Sequence, residues 1–499
     1  MTAQLDITEQ ELAIVQGILQ SILPNNSRVW VFGSRAKHTT RHNSDLDLAI
    51  EASSALNKTT LMQLASAFED SHLPYTVDIV DLQQVEAYFK DIIDEQKVSF
   101  PLWGKVPELR FPEFEGEWKI KRGKDLFLNS RVKGEDGLPI YSVTLNDGLV
   151  PRASLDKKME NDAASGDNLR AQAGDLVYNM MRMWQGALGL AHEECMVSPA
   201  YVVLSGKVKT DTKFFEYNLK RPRSIYDLWA YSYGLTNDRL RLYSKDFLRI
   251  KFRVPEEKSE QQKIASFLTS IDDKLTKLRR KRELLDDYKR GLMQQLFSQT
   301  IRFKQDDGSE FEEWGKSSFG ALFEVLSGLT YSPQNITDSG LLVLRSSNVQ
   351  NGKIDLSDSV FVDLNVSEKS LSKFGDILLC VRNGSRRLIG KSARIPRDLE
   401  KSTHGAFMSV LRGEQNDFVF QVMQSQMFFK EIHKNLGATI NSINGSDLKK
   451  FKFSLPVDEV EQQKIADCLS SFDAKIDAVA KQIQQLDTFK KGLLQKMFV

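Results

Sequence analysis

A block of 43 residues occurs twice in this chain, 201 positions apart and without a gap, and it limits the possible folds more than any other feature. The copies run from Pro255 to Phe297 and from Pro456 to Phe498, with 18 of the 43 positions identical. Both contain the run Glu-Gln-Gln-Lys-Ile-Ala, at 260–265 and 461–466, and Lys289, Gly291 and Leu292 recur as Lys490, Gly492 and Leu493. A repeat of this period implies two equivalent structural units in one polypeptide. Such a molecule can touch two places at once.

Within the first copy Ile264, Leu268, Ile271, Leu275 and Leu278 step by four and three, and the register continues through Leu285, Leu292 and Leu296. The second copy keeps it with Ile465, Leu469, Phe472, Ile476, Val479, Ile483, Leu486, Leu493 and Met497. Sustained 4–3 spacing is a coiled-coil seam, and Pro255 and Pro456 mark where each helix can begin. Arg282, Lys289 and Lys490 interrupt it, so it is not a plain zipper. Some 40 helical residues at 1.5 Å each give a rod of roughly 60 Å. A single copy would read first as an amphipathic helix on a globular core. Two copies, each closing a module, favour mutual pairing, antiparallel because the intervening module returns the chain.

At 499 residues the chain exceeds one hydrophobic core. The expected segments are a head at 1–103, a module at 104–254, a helix at 255–300, a second module at 301–454 and a second helix at 455–499. The net charge of +1 conceals a split: residues 1–100 hold 14 acidic and 7 basic side chains (−7), the remainder 53 and 61 (+8). A basic body behind an acidic head suggests a polyanionic partner for the body. Cys195, Cys380 and Cys468 have no metal-ligand spacing, and no run of about 18 apolar residues exists, so a reducing, cytoplasmic setting without membrane is expected.

The two modules resemble each other weakly. Gly174-Asp175-Leu176-Val177-Tyr178 matches Gly375-Asp376-Ile377-Leu378-Leu379, each followed by a polar segment, 179–186 and 380–387. Apolar stretches follow at 197–204 and 406–411, and basic strand-like runs close the modules at 248–253 and 448–453. Short alternating runs and turn residues predict a mixed α/β fold with many strands. Loops carrying Arg, Asn and Gln suit DNA, because Arg reads guanine and Asn or Gln adenine by bidentate hydrogen bonds. The candidates are Arg182, Gln185, Arg345, Asn348, Arg382, Asn383, Arg386 and Arg387.

The order module, helix, module, helix resembles the specificity subunit of type I restriction–modification systems. The resemblance rests on the run from Leu109 to Trp118, echoed by Ile301, Arg302, Phe303 and Trp314, and on Pro255 and Pro456 with the Glu-Gln-Gln-Lys-Ile-Ala runs and the Lys-x-Gly-Leu helix ends. It covers residues 104–499. It implies two target-recognition domains, each reading half of a bipartite, asymmetric site in double-stranded DNA. It also implies a ruler of paired helices that fixes the half-site spacing and docks two methyltransferase subunits, with motor/nuclease subunits completing a phage-defence complex. The chain has no G-x-x-x-x-G-K-[ST] loop and no Asn/Asp-Pro-Pro-aromatic motif. S-adenosylmethionine and ATP chemistry therefore belongs, on this resemblance, to partner subunits.

The head reads differently. Arg28 to Phe32 is strand-like, followed by Gly33-Ser34, then Asp45-Leu46-Asp47 eleven residues on, then a strand carrying Asp78. Carboxylates two apart on a strand point to one face, and three on adjacent strands can hold Mg²⁺ against a nucleoside triphosphate. The Gly33-Ser34 turn would offer backbone N–H groups and a hydroxyl to the phosphates, and Arg35 a positive charge. Asp81 is out of phase with Asp78. The segment, about residues 10–100, resembles a minimal nucleotidyltransferase of the polymerase-β-like superfamily. That resemblance implies Gly33, Ser34 and Arg35 as nucleotide-binding residues and Asp45, Asp47 and Asp78 as catalytic metal ligands. Three readings stand: a DNA-recognition subunit with a fused head, an AMP-transferring enzyme of antitoxin type targeted by the body, and a scaffold that no longer binds DNA.

Overall fold

The computed structural model describes residues 5–23, 27–37, 39–40, 44–52, 55–100, 106–155, 164–236, 239–399, 401–436 and 442–499. The expected head–module boundary at 103/104 lies outside them. The chain folds as two compact units, Met1–Lys274 with Leu486–Val499, and Leu275–Gln485. No helix among the described residues is long and apolar enough to cross a membrane.

In the first unit the head is a four-stranded sheet with three helices. Helix α1 (Glu9–Ile22) starts at a capping box in which Thr8 and Glu11 bond each other's backbone N–H. Strand β1 (Arg28–Phe32) leads to β2 (Leu46–Glu51), helix α2 (Lys58–Glu69), β3 (Val77–Asp81), helix α3 (Ala87–Gln96) and β4 (Val98–Phe100). The sheet order is β3-β2-β1-β4. Strands β2 and β3 are parallel, which requires the α2 crossover, while β1 runs antiparallel to β2 and β4. Val15, Ile18 and Leu19 of α1 pack on Val29, Val31, Leu46 and Leu48.

Both modules, each described within its own unit, use one sheet arrangement despite their weak sequence likeness. In the first, strands Leu188–Leu190, Leu176–Asn179, Tyr201–Gly206 and Phe127–Ser130 lie side by side. In the second the order is Ser392–Arg394, Ile377–Cys380, Met408–Arg412 and Glu324–Ser327. A second four-stranded sheet with one parallel pair accompanies each, and a two-stranded ribbon closes each module. The matching Gly-Asp dipeptides are turns: Gly174 and Gly375 have φ of 93° and 84°. Asp175 and Asp376 accept hydrogen bonds from Gln172 N and Lys373 N. The basic runs at 248–253 and 448–453 are only partly strand, since helices Ser244–Phe247 and Gly445–Lys449 precede strands Lys251–Val254 and Lys452–Leu455.

The long helices span Lys258–Phe297 and Glu459–Lys496. Their repeated run is a clamp between helix and module. Glu260, 2% exposed, accepts from Arg110 Nε at 2.8 Å, Arg110 Nη2 at 2.7 Å and Trp118 Nε1 at 3.0 Å. In the second unit Glu461, 1% exposed, accepts from Arg302 Nε at 3.1 Å, Arg302 Nη2 at 2.9 Å and Trp314 Nε1 at 3.1 Å. Gln261 and Gln462 donate to the carbonyls of Pro255 and Pro456, tying down the turn before each helix. Lys263 and Lys464 each lie 5.5 Å from a phenylalanine ring, Phe111 and Phe311. Ile264, Ala265, Ile465 and Ala466 are buried.

The lysines that break the seam have partners. In the second unit Lys289 Nζ bonds Asp473 Oδ1 at 2.7 Å and Gln424 Oε1 at 3.0 Å. In the first, Lys490 Nζ bonds Asp272 Oδ1 at 2.5 Å, and Tyr217 donates to the other Asp272 oxygen at 2.8 Å. Adding the repeat offset of 201 to Lys289 and Asp272 gives Lys490 and Asp473, so one pair occurs twice. The seam is buried at Leu268, Ile271, Leu469 and Leu493 and half-buried at Leu278, Leu285, Ile476 and Ile483.

Candidate functional site

In the head, β2 and β3 bring the sequence-derived carboxylates to one end of the sheet. Asp47 and Asp78 are register partners on the parallel pair, and Asp47 is opposite Phe32 on β1, so the Gly33 turn sits against its side chain. Gly33 has φ 72°, and a methyl group built there would lie 2.2 Å from Asp47 Oδ2. Only glycine gives both that backbone conformation and that approach. Asp45, exposed just before β2, accepts a hydrogen bond from the Thr76 hydroxyl. Burial, then the charges of Asp78 and Asp45, raise the Asp47 pKa above the ordinary carboxylate value, against the lowering influence of Arg35. Asp47 therefore sits in a focus of negative charge that it shares with Asp78 and Asp45.

Among the described residues no three His, Cys, Asp or Glu side chains converge as a ready-made metal cage. The repulsion just described opposes such closure, and Asp45 is held toward Thr76. The donor set, hard carboxylate oxygens facing a glycine turn, nevertheless suits a hard divalent cation.

Arg35 departs from its expected role. It is 6% exposed, and its guanidinium donates to the carbonyls of Ser44, Asp45 and Asp6 while lying 3.6 Å from the Tyr75 ring centroid. Its hydrogen bonds hold the loop before β2 to the segment before α1. Asp81 faces inward, accepting from Leu56 N, Gln83 N and Gln84 Nε2.

The DNA candidates separate in the same way. In the first module Arg182 and Gln185 are exposed at a single 3-10 turn, Met183–Gln185, which follows strand Leu176–Asn179 and ends at Gly186 with φ 87°. In the second, strand Ile377–Cys380 is followed by the 3-10 turn Arg386–Leu388, and Arg382, Arg386 and Arg387 are exposed. Both segments leave the same strand of the shared arrangement. Asn348 is fully buried, and its amide bonds Arg345 N, Asp355 O and Asp358 O, so it shapes its loop and has no donor for a base. Arg345 pairs with Asp358 at 2.6 Å. Asn383 bonds Ser346 Oγ and Ser385 N, a turn-forming role. Sequence reasoning missed the helix Pro222–Ala230, which lies behind the Met183–Gln185 turn; its aromatic residues Tyr226 and Trp229 were the available signal.

A body of two like modules with trailing helices, behind a sheet carrying a carboxylate focus, defines a two-part recognition protein with a nucleotidyltransferase-like head. The chain belongs to the type I restriction modification DNA specificity family, matched at residues 116–286 and 311–488, and residues 18–100 match the polymerase beta nucleotidyltransferase family. It is 25% identical over 409 residues to the type I restriction enzyme MjaVIII specificity subunit of Methanocaldococcus jannaschii, covering 77% of this chain and 92% of that protein. The EcoKI specificity subunit of Escherichia coli is 30% identical over 193 residues, 37% of this chain and 41% of that one. The head is 45% identical over 91 residues to a protein described as a probable protein adenylyltransferase MntA of Haemophilus influenzae, 18% of this chain and 79% of that protein. The fold is similar to the crystal structure of a type I restriction–modification S subunit from M. genitalium, with a TM-score of 0.52 and 15% identity over 79% of this chain and 99% of that one.

Proposed function

We propose that the body recognises DNA within a type I restriction–modification assembly, each module reading one half of a bipartite site. The observation that carries this reading is the pair of equivalent turns with different side chains: Arg182 and Gln185 in one module, Arg382, Arg386 and Arg387 in the other. Equivalent position with unlike chemistry means two half-sites of different sequence. Direct base contact requires exposed donors, which the buried Asn348 lacks. Lysine and arginine around these turns would take the phosphates.

The long helices pair antiparallel on this reading and set the half-site spacing. The Lys289–Asp473 and Lys490–Asp272 contacts support it, since polar pairs within an apolar seam specify register. The helices would also seat the methyltransferase subunits, which motor/nuclease subunits join. A groove of about 730 Å³ in the second unit, with Leu284, Leu285, Tyr288 and Phe472 beside Lys277 and Arg280, is a candidate contact for one of them.

For the head the reading is metal-dependent nucleotidyl transfer. Asp47 and Asp78, with Asp45, would hold Mg²⁺, which when bound neutralises phosphate charge and draws the α-phosphate toward attack. The Gly33-Ser34 turn would bind the phosphates through backbone N–H groups and the Ser34 hydroxyl. An acceptor hydroxyl would attack the α-phosphate while giving its proton to a carboxylate of the set, and the bond to the β-phosphate would break to release pyrophosphate. The alternative, an AMP-transferring enzyme that uses the body for targeting, is favoured by the 45% identity to the adenylyltransferase relative.

A methylome of the host with and without the gene tests the body. A bipartite asymmetric motif that vanishes on deletion is expected; an unchanged methylome with the gene expressed would refute the recognition role. For the head, labelled ATP and Mg²⁺ are incubated with the complex. Label transfer that Asp47→Asn and Asp78→Asn abolish is expected, and absence of transfer to any subunit would reject catalysis.

A further inference from the structure

The head is seated on the helix that supports the first module's candidate reading turn. Helix α1 packs against Pro222–Ala230, and a methyl group on Gly17 would lie 2.3 Å from Tyr226 Cδ1, so the tyrosine ring lies directly on the α1 backbone at the place where glycine leaves room for it. Tyr226 joins the head's own apolar core, and Trp229 meets the His72 ring at 5.4 Å between centroids. The same helix contacts the turn Met183–Gln185: a methyl group on Gly186 would lie 2.8 Å from Ile225 Cδ1. Adjacent residues of one short helix, Ile225 and Tyr226, thus face the turn bearing Arg182 and Gln185 on one side and the head on the other.

A mechanical path also runs from the candidate nucleotide site to α1. Arg35, two residues beyond Gly33, donates from Nη1 to Asp6 O at 2.7 Å, and Asp6 N bonds Arg35 O at 3.4 Å. The Thr40 hydroxyl bonds the Asp6 carboxylate. These contacts tie the Gly33 turn to the residues that lead into the Thr8 cap of α1. The second module repeats the helix-behind-turn contact in its own unit, where a methyl group on Gly390 would lie 3.1 Å from Phe429 of helix Gln426–Asn435. That contact is therefore part of the module's construction, and the seated head is what the first module adds.

We propose that nucleotide and divalent cation bound at the head change the affinity of the first module for its DNA half-site, and that DNA changes nucleotide affinity by the same factor. This rests on the reading of both sites given above. Close-packed contacts transmit displacements because they have no void to absorb them. Neutralising the carboxylate focus and ordering the Gly33-Ser34 turn would shift Arg35, then α1, then the helix that positions Arg182 and Gln185. The coupling is reciprocal by thermodynamic linkage, and couplings of this kind span about 5- to 150-fold in affinity.

The test uses the full chain with the subunits that co-purify with it. Fluorescence anisotropy measures binding of a labelled duplex carrying the host's methylated motif, with and without a saturating non-hydrolysable ATP analogue and Mg²⁺. Calorimetry on the same sample measures binding of the analogue itself. An affinity change of at least about fivefold is expected, lost in Tyr226→Ala and Gly17→Val, which loosen or wedge the contact from opposite sides, while analogue binding persists. Analogue binding with DNA affinity unchanged within twofold would overturn the coupling and leave the head's nucleotide reading intact. Intact DNA binding with no analogue binding would instead reject the nucleotide reading, and the coupling with it.

Discussion

Replacing Glu260 by alanine isolates what the repeated Glu-Gln-Gln-Lys-Ile-Ala run does. The carboxylate is 2% exposed and accepts three hydrogen bonds, two from the Arg110 guanidinium and one from Trp118 Nε1. Removal leaves Arg110, whose side chain is 15% exposed, with only the carbonyls of Glu115 and Gly116, and leaves the Trp118 N–H without an acceptor. Breaking a buried ion pair from one side costs about 3–5 kcal/mol, and an orphaned buried donor costs about 1–3 kcal/mol. The two overlap because they share one carboxylate, so about 4 kcal/mol is expected locally. Glu260→Gln keeps one acceptor oxygen and should cost about half as much. A global melting curve is a poor assay for a chain of several domains. Amide hydrogen exchange read by mass spectrometry resolves the effect by segment. Protection should fall about a thousandfold at 110–118 and 258–270 in Glu260→Ala, with 302–314 and 459–471 unchanged. Glu461→Ala should give the converse. A loss below about 1 kcal/mol in both variants would refute the clamp, as would equal loss in both segments from either substitution.

Other outcomes follow from the same contacts. Lys289→Ala removes a buried ammonium from an aspartate that is a third exposed, and should cost about 1–2 kcal/mol, with a double-mutant cycle against Asp473→Ala giving a coupling of about 1 kcal/mol. Lys490 with Asp272 should behave alike. The folded-state pKa of Asp47 is raised, so the native head holds a proton that the unfolded chain releases, and stability falls as pH rises through that window. Asp47→Asn should therefore stabilise the head at pH 7 by less than about 1 kcal/mol, since the group is only half-buried. That gain should vanish below the carboxylate range, and Mg²⁺ should stabilise the natural chain but not the variant, as followed by thermal melting at several pH values. Gln185→Ala or Arg182→Ala should cost about 1–3 kcal/mol of discrimination at one base pair of one half-site, whereas Asn348→Ala should leave base preference unchanged in a methylation assay.

What was legible in the sequence was what is local. The 4–3 spacing locates both long helices because a helix repeats its face within four residues, and the period of two correctly separates Asp78 from the inward-facing Asp81. Residue type alone misplaced Arg35 and Asn348: it reveals a donor but not what lies within 3 Å of it. Arg35 finds carbonyls from two loops, and Asn348 finds those of its own loop. The clamp was half visible. Arg110 and Trp118 were noted beside the Glu260 run, but the contact joins positions 150 and 142 residues apart, and chain spacing carries no sign of it. The seating of α1 on Pro222–Ala230 was invisible for the same reason, since a glycine against a tyrosine ring has no periodicity. The common sheet order of the modules survived where their sequences diverged, because strand order depends on which residues are apolar and not on which apolar residues they are.

The doubled lysine–aspartate pair has a consequence for ancestry. Lys289 and Asp272 lie on one helix, and each finds its counterpart's copy, Asp473 or Lys490, on the other. A single helix therefore encodes both halves of its own complement. If the helices pair as proposed above, a gene encoding one module and one helix would yield a product able to assemble with its twin, and duplication with fusion would preserve both lysine–aspartate contacts without a new mutation. Freed from identity, the two halves could then drift to unlike words while their shared grammar stayed fixed.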